Sequence, residues 1–495
     1  MIDFTPEQIA EICGAALLAG ERGRQSVDDV PNRAVVDSRE VREGDLFIGL
    51  PGEHLDGGEF AAKAAAAGAW GVIVRTEHGQ TMSANGVRVF AVDDPLAALG
   101  LLARASVDRL RHESCKVIAI TGSTGKTSTK DILFALLEPH FRGAVHASPR
   151  NYNTEIGLPL TVLAAPKGTR ALVLEMAMRG PGQIKELCEI ALPEIGVITN
   201  VGPVHLELLG TVEDVAEAKA ELIAALPPHG VCVVPAIAEA LRPHLRREVR
   251  TLTFANLPED GGASLEDIER IAGAAADVRV ANVTQVEVDG NRGLRAEVAL
   301  GAERCVFEFN FRQAHNLVNA LAAIAAGHAA GVPMQSLAEG ARQVGFSELR
   351  GEEIELPNGA VVINDCYNAN PISMRAALDY MADMAGNRQA PRAVAVLGEM
   401  AELGPEGPRF HREIGAYAAQ KGVRALVAVG ELGEGYLEGY AGAGEARHVP
   451  DAAEAAALIH RVVEPADVVL VKGSRSVGLE LVVASLTDAA ERDRH

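Results

Sequence analysis

Short apolar runs broken by turn residues recur along the N-terminal stretch, at residues 33–37, 45–50, 71–74 and 87–92, and each reads as a strand. An alanine-rich helix is predicted between two of them, at 60–67. Ahead of them, Thr5-Pro6-Glu7-Gln8 carries the signals of a helix start: Thr5 can cap, Pro6 suits the first helical position, and Gln8 can close a capping box. That helix is expected to run to about residue 20. Together these elements make a small α/β unit, residues 1–92.

A second pattern begins at Asp94. A helix at 95–111 precedes the buried-strand run Val117-Ile118-Ala119-Ile120, and further strand-like runs fall at 171–174, 195–199 and 231–234, with helical stretches between them. Strands alternating with helices imply a parallel sheet covered on both faces. Residues 277–311 differ. They read as successive β segments with turns at Asp289-Gly290-Asn291 and Leu300-Gly301, which predicts an antiparallel insert in a domain spanning 93–331. After Gly331-Val332-Pro333, strands are predicted at 361–363, 393–397, 425–429 and 467–471, and helices at 373–385 and 408–421. A Rossmann-like, doubly wound third domain over 332–495 is the natural reading. The fold class is therefore α/β, in three abutting domains, with no repeat and no low-complexity linker.

The length, 495 residues, agrees with three domains at a prior of about 150 residues each. With 48% hydrophobic residues the chain can bury several cores. The formal charge of −21 argues against a nucleic-acid or anionic-membrane surface, which needs a basic stripe, but leaves room for a small phosphate ligand held locally. Six scattered cysteines without a Cys-x-x-Cys pair fit a reducing compartment and offer no zinc framework. The acidic N-terminus and the lack of a long apolar run make a cytoplasmic protein, a monomer with no membrane partner, the default expectation. Only nine lysines stand against 37 arginines, so a lysine inside a chemical motif draws notice.

The strand Val117-Ile118-Ala119-Ile120 leads into Thr121-Gly122-Ser123-Thr124-Gly125-Lys126-Thr127-Ser128. Gly122 and Gly125 let the backbone bend so that its N–H groups can face phosphate oxygens. Lys126 can reach the β/γ-phosphates, and the Thr127 hydroxyl can ligate Mg²⁺. The full phosphate-loop spacing wants glycine at position 120, where this chain has Ile120, so the loop is a shortened variant; an ordinary βα turn is the bland alternative. Glu175 ends a strand, at the carboxyl edge where α/β sheets bind ligands, and a carboxylate there suits Mg²⁺. His205 follows the strand at 195–199, and a lone histidine is more often structural than a ligand. Glu207 beside it reads as solvated. From periodicity alone, Lys219, with Glu213, Asp214, Glu217 and Glu221 nearby, reads as part of an exposed helix face with i,i+4 ion pairs.

Taken together, these segments resemble the Mur ligases, ATP-dependent amide-forming enzymes of peptidoglycan precursor synthesis, over nearly the whole chain. The shortened loop is that family's form. The resemblance implies ATP contacts from Gly122, Ser123, Thr124, Gly125, Lys126, Thr127 and Ser128, with Asn316 and Asn319 of His315-Asn316-Leu317-Val318-Asn319-Ala320 and Asp365 also on the nucleotide. It implies Mg²⁺ held by Thr127, Glu175, His205 and a carbamylated Lys219, and a catalytic set of Lys126, Lys219, His205 and Glu175. Asn151-Tyr152-Asn153-Thr154 resembles the family's Asn-rich segment, which implies substrate contacts from Asn151, Asn153 and Thr154. Asp37-Ser38-Arg39, Gly44-Asp45-Leu46-Phe47 and His54-Leu55-Asp56-Gly57 are similar to a uridine-nucleotide-binding domain, with Ser38 and Arg39 on the substrate.

Asp365-Cys366-Tyr367-Asn368-Ala369-Asn370-Pro371 is similar to the segment of family members that attach D-alanyl-D-alanine to UDP-N-acetylmuramoyl-tripeptide. That implies those two small-molecule substrates, with Tyr367, Asn368, Asn370 and Lys472 contacting them. Turn formation before Pro371 is the competing role of the two asparagines. Leu397-Gly398-Glu399-Met400-Ala401-Glu402-Leu403-Gly404 and Val471-Lys472-Gly473-Ser474-Arg475 carry the same resemblance. Where the family has a Gly-Arg pair contacting ATP, this chain has Arg350-Gly351 in reverse order. The alternatives are a sister ligase adding diaminopimelate or lysine, a folylpolyglutamate-synthase-like ligase, and a non-catalytic binding protein on the same fold. The Asp-Asn-Pro-Arg segment of the sister ligase is absent, the uridine-domain signature argues against the folate enzyme, and Lys126, Glu175, His205 and Lys219 are all present.

Overall fold

The computed structural model describes residues 3–19, 30–82, 87–255, 276–390 and 392–492. Three sheets organise the chain. The first holds β1 (Ala16–Ala19), β2 (Ala34–Val35), β3 (Leu46–Ile48), β4 (Gly71–Arg75) and β5 (Arg88–Val92) in the order β1-β5-β4-β3-β2, parallel except for β1 against β5. The first helix is shorter than its expected end near residue 20. It spans Pro6–Cys13, opened by the expected capping box of Thr5 and Gln8 and closed by Gly14, whose φ of 59° ends the helical run. The chain is then free to form β1 on the sheet edge.

The central sheet has nine strands: β6 (Lys116–Thr121), β7 (Val145–Ala147), β8 (Ala171–Glu175), β9 (Ile195–Ile198), β10 (Val231–Pro235), β11 (Arg250–Phe254), β12 (Val278–Val288), β13 (Asn291–Leu300) and β14 (Glu303–Phe309). Their order is β14-β13-β12-β11-β10-β9-β6-β8-β7. The antiparallel segment anticipated at 277–311 is β12–β14. It is no separate insert, because β12 pairs in parallel with β11 and so extends the same sheet. The apolar run of β6 has a physical reason in its two covered faces. Val117 and Ala119 point into one buried cluster, Ile118 and Ile120 into another. Helices Lys126–Phe141 and Ala314–Ala329 cover the second face. Helix Met334–Gly340, which the sequence places in the third region, packs on helix Lys126–Phe141 and β14 instead, since Met334 and Leu337 bury in the central core.

The third sheet is β15 (Glu352–Glu355), β16 (Val361–Asp365), β17 (Ala393–Gly398), β18 (Val423–Val429), β19 (Glu445–Val449) and β20 (Val468–Lys472), ordered β15-β16-β20-β17-β18-β19. It is parallel apart from β15 on β16. One apolar cluster is continuous from Ile9 and Phe90 in the first unit, through Leu102, Leu158 and Leu174, to Leu378 and Leu397 in the third. Among the described residues no helix is long and apolar enough to cross a membrane.

Candidate functional site

Two carboxyl edges face one cleft. In the central sheet Ile120 pairs with Glu175 and Thr121 with Ile198, which aligns the ends of β6, β8 and β9. In the third sheet Lys472 is level with Asp365 on one side and Leu397 on the other. The loops leaving both edges line a cleft of about 1060 Å³. Open α/β sheets bind ligands at this edge because loops and helix N-termini diverge there.

The phosphate loop forms one wall. Gly122 has φ 150°, and a Cβ on it would lie 1.9 Å from Thr199 Oγ1. Gly125 has φ 77°, and its Cβ would lie 2.4 Å from Asn319 Oδ1. Only glycine fits at either point. The loop is pinned from below: the Thr124 N–H donates to Asn200 Oδ1 at 2.8 Å, and Ser123 Oγ donates to the Gly202 carbonyl at 3.1 Å. Helix Lys126–Phe141 starts directly after it, so its first N–H groups and the Lys126 ammonium lie at one point of the cleft. Lys126 Nζ, folded back, donates to the Gly122 carbonyl at 2.8 Å. Burial pushes its pKa below the usual lysine range, against the pull of Glu175.

Glu175 is buried and divided between two donors. Thr127 Oγ1 donates to Oε2 at 2.9 Å and Asn153 Nδ2 to Oε1 at 2.8 Å. His205 Nδ1–H donates to Glu402 Oε2 of the third domain, and burial holds the imidazole below its ordinary range although the carboxylate opposes this. Lys219 does not lie on a solvated face. It is 2% exposed, in the buried stripe of helix Val212–Ala225, and burial together with the neighbouring Lys126 charge drives its pKa well below that of an ordinary lysine. The ion-pair reading fails because Asp214 caps the helix start, Glu213 and Glu217 are exposed, and Glu221 accepts from the N–H groups of Gly182 and Lys185, while Val215, Ala216 and Leu222 share the buried side with Lys219.

Ser123 to Ser128, Asn151, Asn153, Thr154, Glu175, His205, Asn316, Asn319, Asp365, Tyr367, Asn368 and Asn370 all line the cleft, and so does Lys472. Gly122, at the loop's first bend, and the buried Lys219, close enough to feel the Lys126 charge, are not part of the cleft lining. Ser38 and Arg39 are elsewhere, after β2 in the first unit, where the Arg39 guanidinium closes on Asp37 (Nη2–Oδ2 2.6 Å) and stays mostly exposed. In that unit Asp56, Glu77 and His78 bring three ligand atoms within 4.8 Å, but Arg75 at 3.6 Å from Asp56 already supplies a cation.

Side chains of the 365–370 segment are partly committed to its own turn. Asn370 caps helix Pro371–Arg388, accepting from Ser373 N at 3.0 Å, and Asn368 Oδ1 accepts from Ala369 N at 2.8 Å. Lys472 is buried and donates to Asp365 Oδ2 at 2.7 Å and to the Asn368 carbonyl at 2.8 Å, so it holds the segment in shape. Replacing Asn370 with alanine is expected to cost about 1 kcal/mol of stability in urea unfolding, the usual worth of an N-cap, with KM values close to wild type. A large rise in KM at unchanged stability would show a ligand role instead.

Arg350 enters the cleft despite its reversed order with Gly351, its guanidinium 4.1 Å from the centre of the Tyr367 ring. Residues without a sequence-based role also converge there: Asn200, Arg179, His315 and Glu402. Asn200 follows β9, and the carboxyl-edge argument used for Glu175 applies equally to it. Glu402 lay in a recognised motif with no role attached. His315 opens the segment that resembles the family's adenine-side stretch, again with no role attached, and burial pushes its pKa down to about 4.

Three family models match the chain: a Mur ligase middle domain over residues 120–327, a Mur ligase glutamate ligase domain over 349–475, and a Mur ligase family catalytic domain over 34–107. The chain is similar to the UDP-N-acetylmuramoyl-tripeptide--D-alanyl-D-alanine ligase of Bacillus subtilis, 34% identical over 496 residues that span 99% of each chain. It is 37% identical over 530 residues to the enzyme of the same name from Mycobacterium tuberculosis (strain H37Rv), spanning 98% of each. Among solved structures, a MurF from Acinetobacter baumannii aligns with TM-score 0.81 at 26% identity, covering 98% of this chain and 99% of that one. A MurF ligase from Thermotoga maritima in complex with ADP aligns with TM-score 0.75 at 29% identity, covering 94% and 99%.

Proposed function

The chain belongs to the Mur ligase family, and on that premise we infer that it is an ATP-dependent ligase joining D-alanyl-D-alanine to the terminal carboxylate of UDP-N-acetylmuramoyl-tripeptide. The observation that carries this reading is the single cleft between the phosphate loop and the Asp365–Asn370 segment. A nucleotide and an amine acceptor can meet there only because two sheets present their carboxyl edges to each other. The two curated relatives described above carry one name over the full chain, which favours this reading over the sister-ligase and folate alternatives.

In the reaction the tripeptide carboxylate attacks the γ-phosphate of ATP, giving an acyl phosphate and ADP. The dipeptide amine then attacks the acyl carbon, and phosphate leaves. Little covalent chemistry falls to the protein, so its work is placement and charge. Loop N–H groups and Lys126 hold the phosphates. Arg350, on the opposite wall, adds a second cation. Asn200, Thr199 and Ser123 keep the loop in shape.

The donor set fits a hard dication: Thr127 supplies a hydroxyl, Glu175 a carboxylate and His205 a ring nitrogen, all at the edge of the phosphate loop. These residues, with Lys219 once it carries a carbamate, would hold Mg²⁺. Held by these residues, such an ion would offset phosphate charge. Carbamylation needs a neutral amine, and the buried Lys219, beside charged Lys126, is the lysine most disposed to be neutral. A guanidinium could not substitute.

Purified protein with ATP, Mg²⁺, UDP-N-acetylmuramoyl-tripeptide and D-alanyl-D-alanine is expected to release phosphate, measured by a coupled colorimetric assay. Release only with a dipeptide precursor and a single free amino acid would replace this reading with the sister-ligase one.

A further inference from the structure

His205 and Glu402 are 197 residues apart and belong to different domains, yet their side chains are joined. Both backbones sit in the left-handed region, His205 at φ 55° and Glu402 at φ 62°. Non-glycine residues are uncommon there and persist where surrounding contacts impose them. Those contacts are visible. The Glu207 N–H donates to the Glu402 carbonyl at 3.2 Å. The Ala401 N–H donates to Ser474 Oγ at 2.9 Å, and the Ser474 N–H to the Glu399 carbonyl at 2.9 Å. Gly404 is so close that a Cβ on it would lie 3.1 Å from Glu207 Cα. The segment following β17 is thus docked on helix Leu206–Leu209 by its backbone, and the docking aims one carboxylate at one imidazole. Glu402 Oε1 has a second partner, Arg179 Nε at 3.5 Å.

An imidazole whose Nδ1–H is held by a carboxylate presents the lone pair of Nε2 and loses its freedom to rotate. The same carboxylate–imidazole pairing orients metal-bound histidines generally. We propose that Glu402 is a positioning residue, brought by the third domain, which fixes the His205 ring so that Nε2 serves the central-domain site only when the two domains are docked. This rests on the reading of His205 as a metal ligand. Its consequence is that the ATP-side site completes itself on closure, before which His205 is an untethered side chain. Phosphoryl transfer is thereby tied to the presence of the domain that carries the Asp365–Asn370 segment.

The test is a double-mutant cycle in the full-length protein over Glu402→Ala and His205→Ala, with Mn²⁺ as the probe ion. Mn²⁺ affinity is read by calorimetry in the presence of a non-hydrolysable ATP analogue, and kcat and KM are read separately. Glu402→Ala should weaken Mn²⁺ binding and lower kcat, each by about 10- to 100-fold, with the KM for the UDP-substrate little changed. Glu402→Gln should recover part of both, because its amide oxygen can still accept from Nδ1–H. In the His205→Ala background the Glu402 substitution should add nothing further. Wild-type Mn²⁺ affinity and kcat in Glu402→Ala, or equal losses in both backgrounds, would overturn the proposal while the ligase reading stands. An inactive wild type, or a His205→Ala variant with unaltered Mn²⁺ affinity, would overturn the underlying reading and the proposal together.

Discussion

Replacing Lys126 with alanine is expected to lower kcat by about 10²–10³-fold, the usual worth of one preorganised donor aimed at developing charge. The ammonium lies in the phosphate loop at the start of helix Lys126–Phe141, next to the buried Glu175. Burial strengthens its interaction with a phosphate, since the local dielectric is lower than that of water. The ammonium donates to the Gly122 carbonyl at 2.8 Å, which places it at the bend of the loop. Arginine at this position should rescue poorly. Its planar fork is larger than an ammonium, and Gly122 and Gly125 leave no slack in the loop around it. Steady-state phosphate release measures the effect. A loss confined to KM for ATP, with kcat intact, would show that Lys126 binds the ground state only.

The second large effect is expected at Lys219. Lys219→Ala should lower activity by at least about 10²-fold, and short-chain carboxylic acids should restore part of it by placing a carboxylate in the space vacated. Bicarbonate should stimulate wild-type protein depleted of CO₂ but leave the alanine variant unchanged. The argument begins with burial. An ordinary lysine is protonated at neutral pH and has no lone pair for CO₂, whereas this one is 2% exposed and lies near a second ammonium. Both effects oppose the charged form, so the neutral amine persists to lower pH than in solution. Carbamylation adds CO₂ to that neutral amine with release of a proton, leaving an anion beside the Lys126 ammonium. Full activity in Lys219→Ala would remove the carbamate from the mechanism.

Much of the architecture is legible in the sequence. The alternation of β6 between two buried faces reads as an uninterrupted apolar run, and the capping box at Thr5, the hairpin turns at Asp289 and Leu300, and the two loop glycines are local patterns set by neighbours in the chain. The phosphate loop was legible for the same reason: its chemistry requires a strand, a bend and a helix start in immediate succession. Errors arose where a local signal met a distant competitor. The first helix stopped at Gly14 because the next residues gained more as an edge strand on β5. Helix Met334–Gly340 joined the central core because Met334 and Leu337 found their apolar partners there.

The candidate site divides along the same line. By itself the sequence determined that a phosphate loop, a carboxylate at a strand end and a lysine at position 219 exist, since each is written in consecutive residues. Only the tertiary structure decided that Lys219 is buried beside Lys126, that Asn370 spends its side chain on a cap, that Arg350 turns onto Tyr367, and that Glu402 reaches His205. Periodicity and caps report energies between residues a few positions apart. The environment of a charge, and therefore its protonation and its partner, depends on surfaces that meet only when whole domains pack.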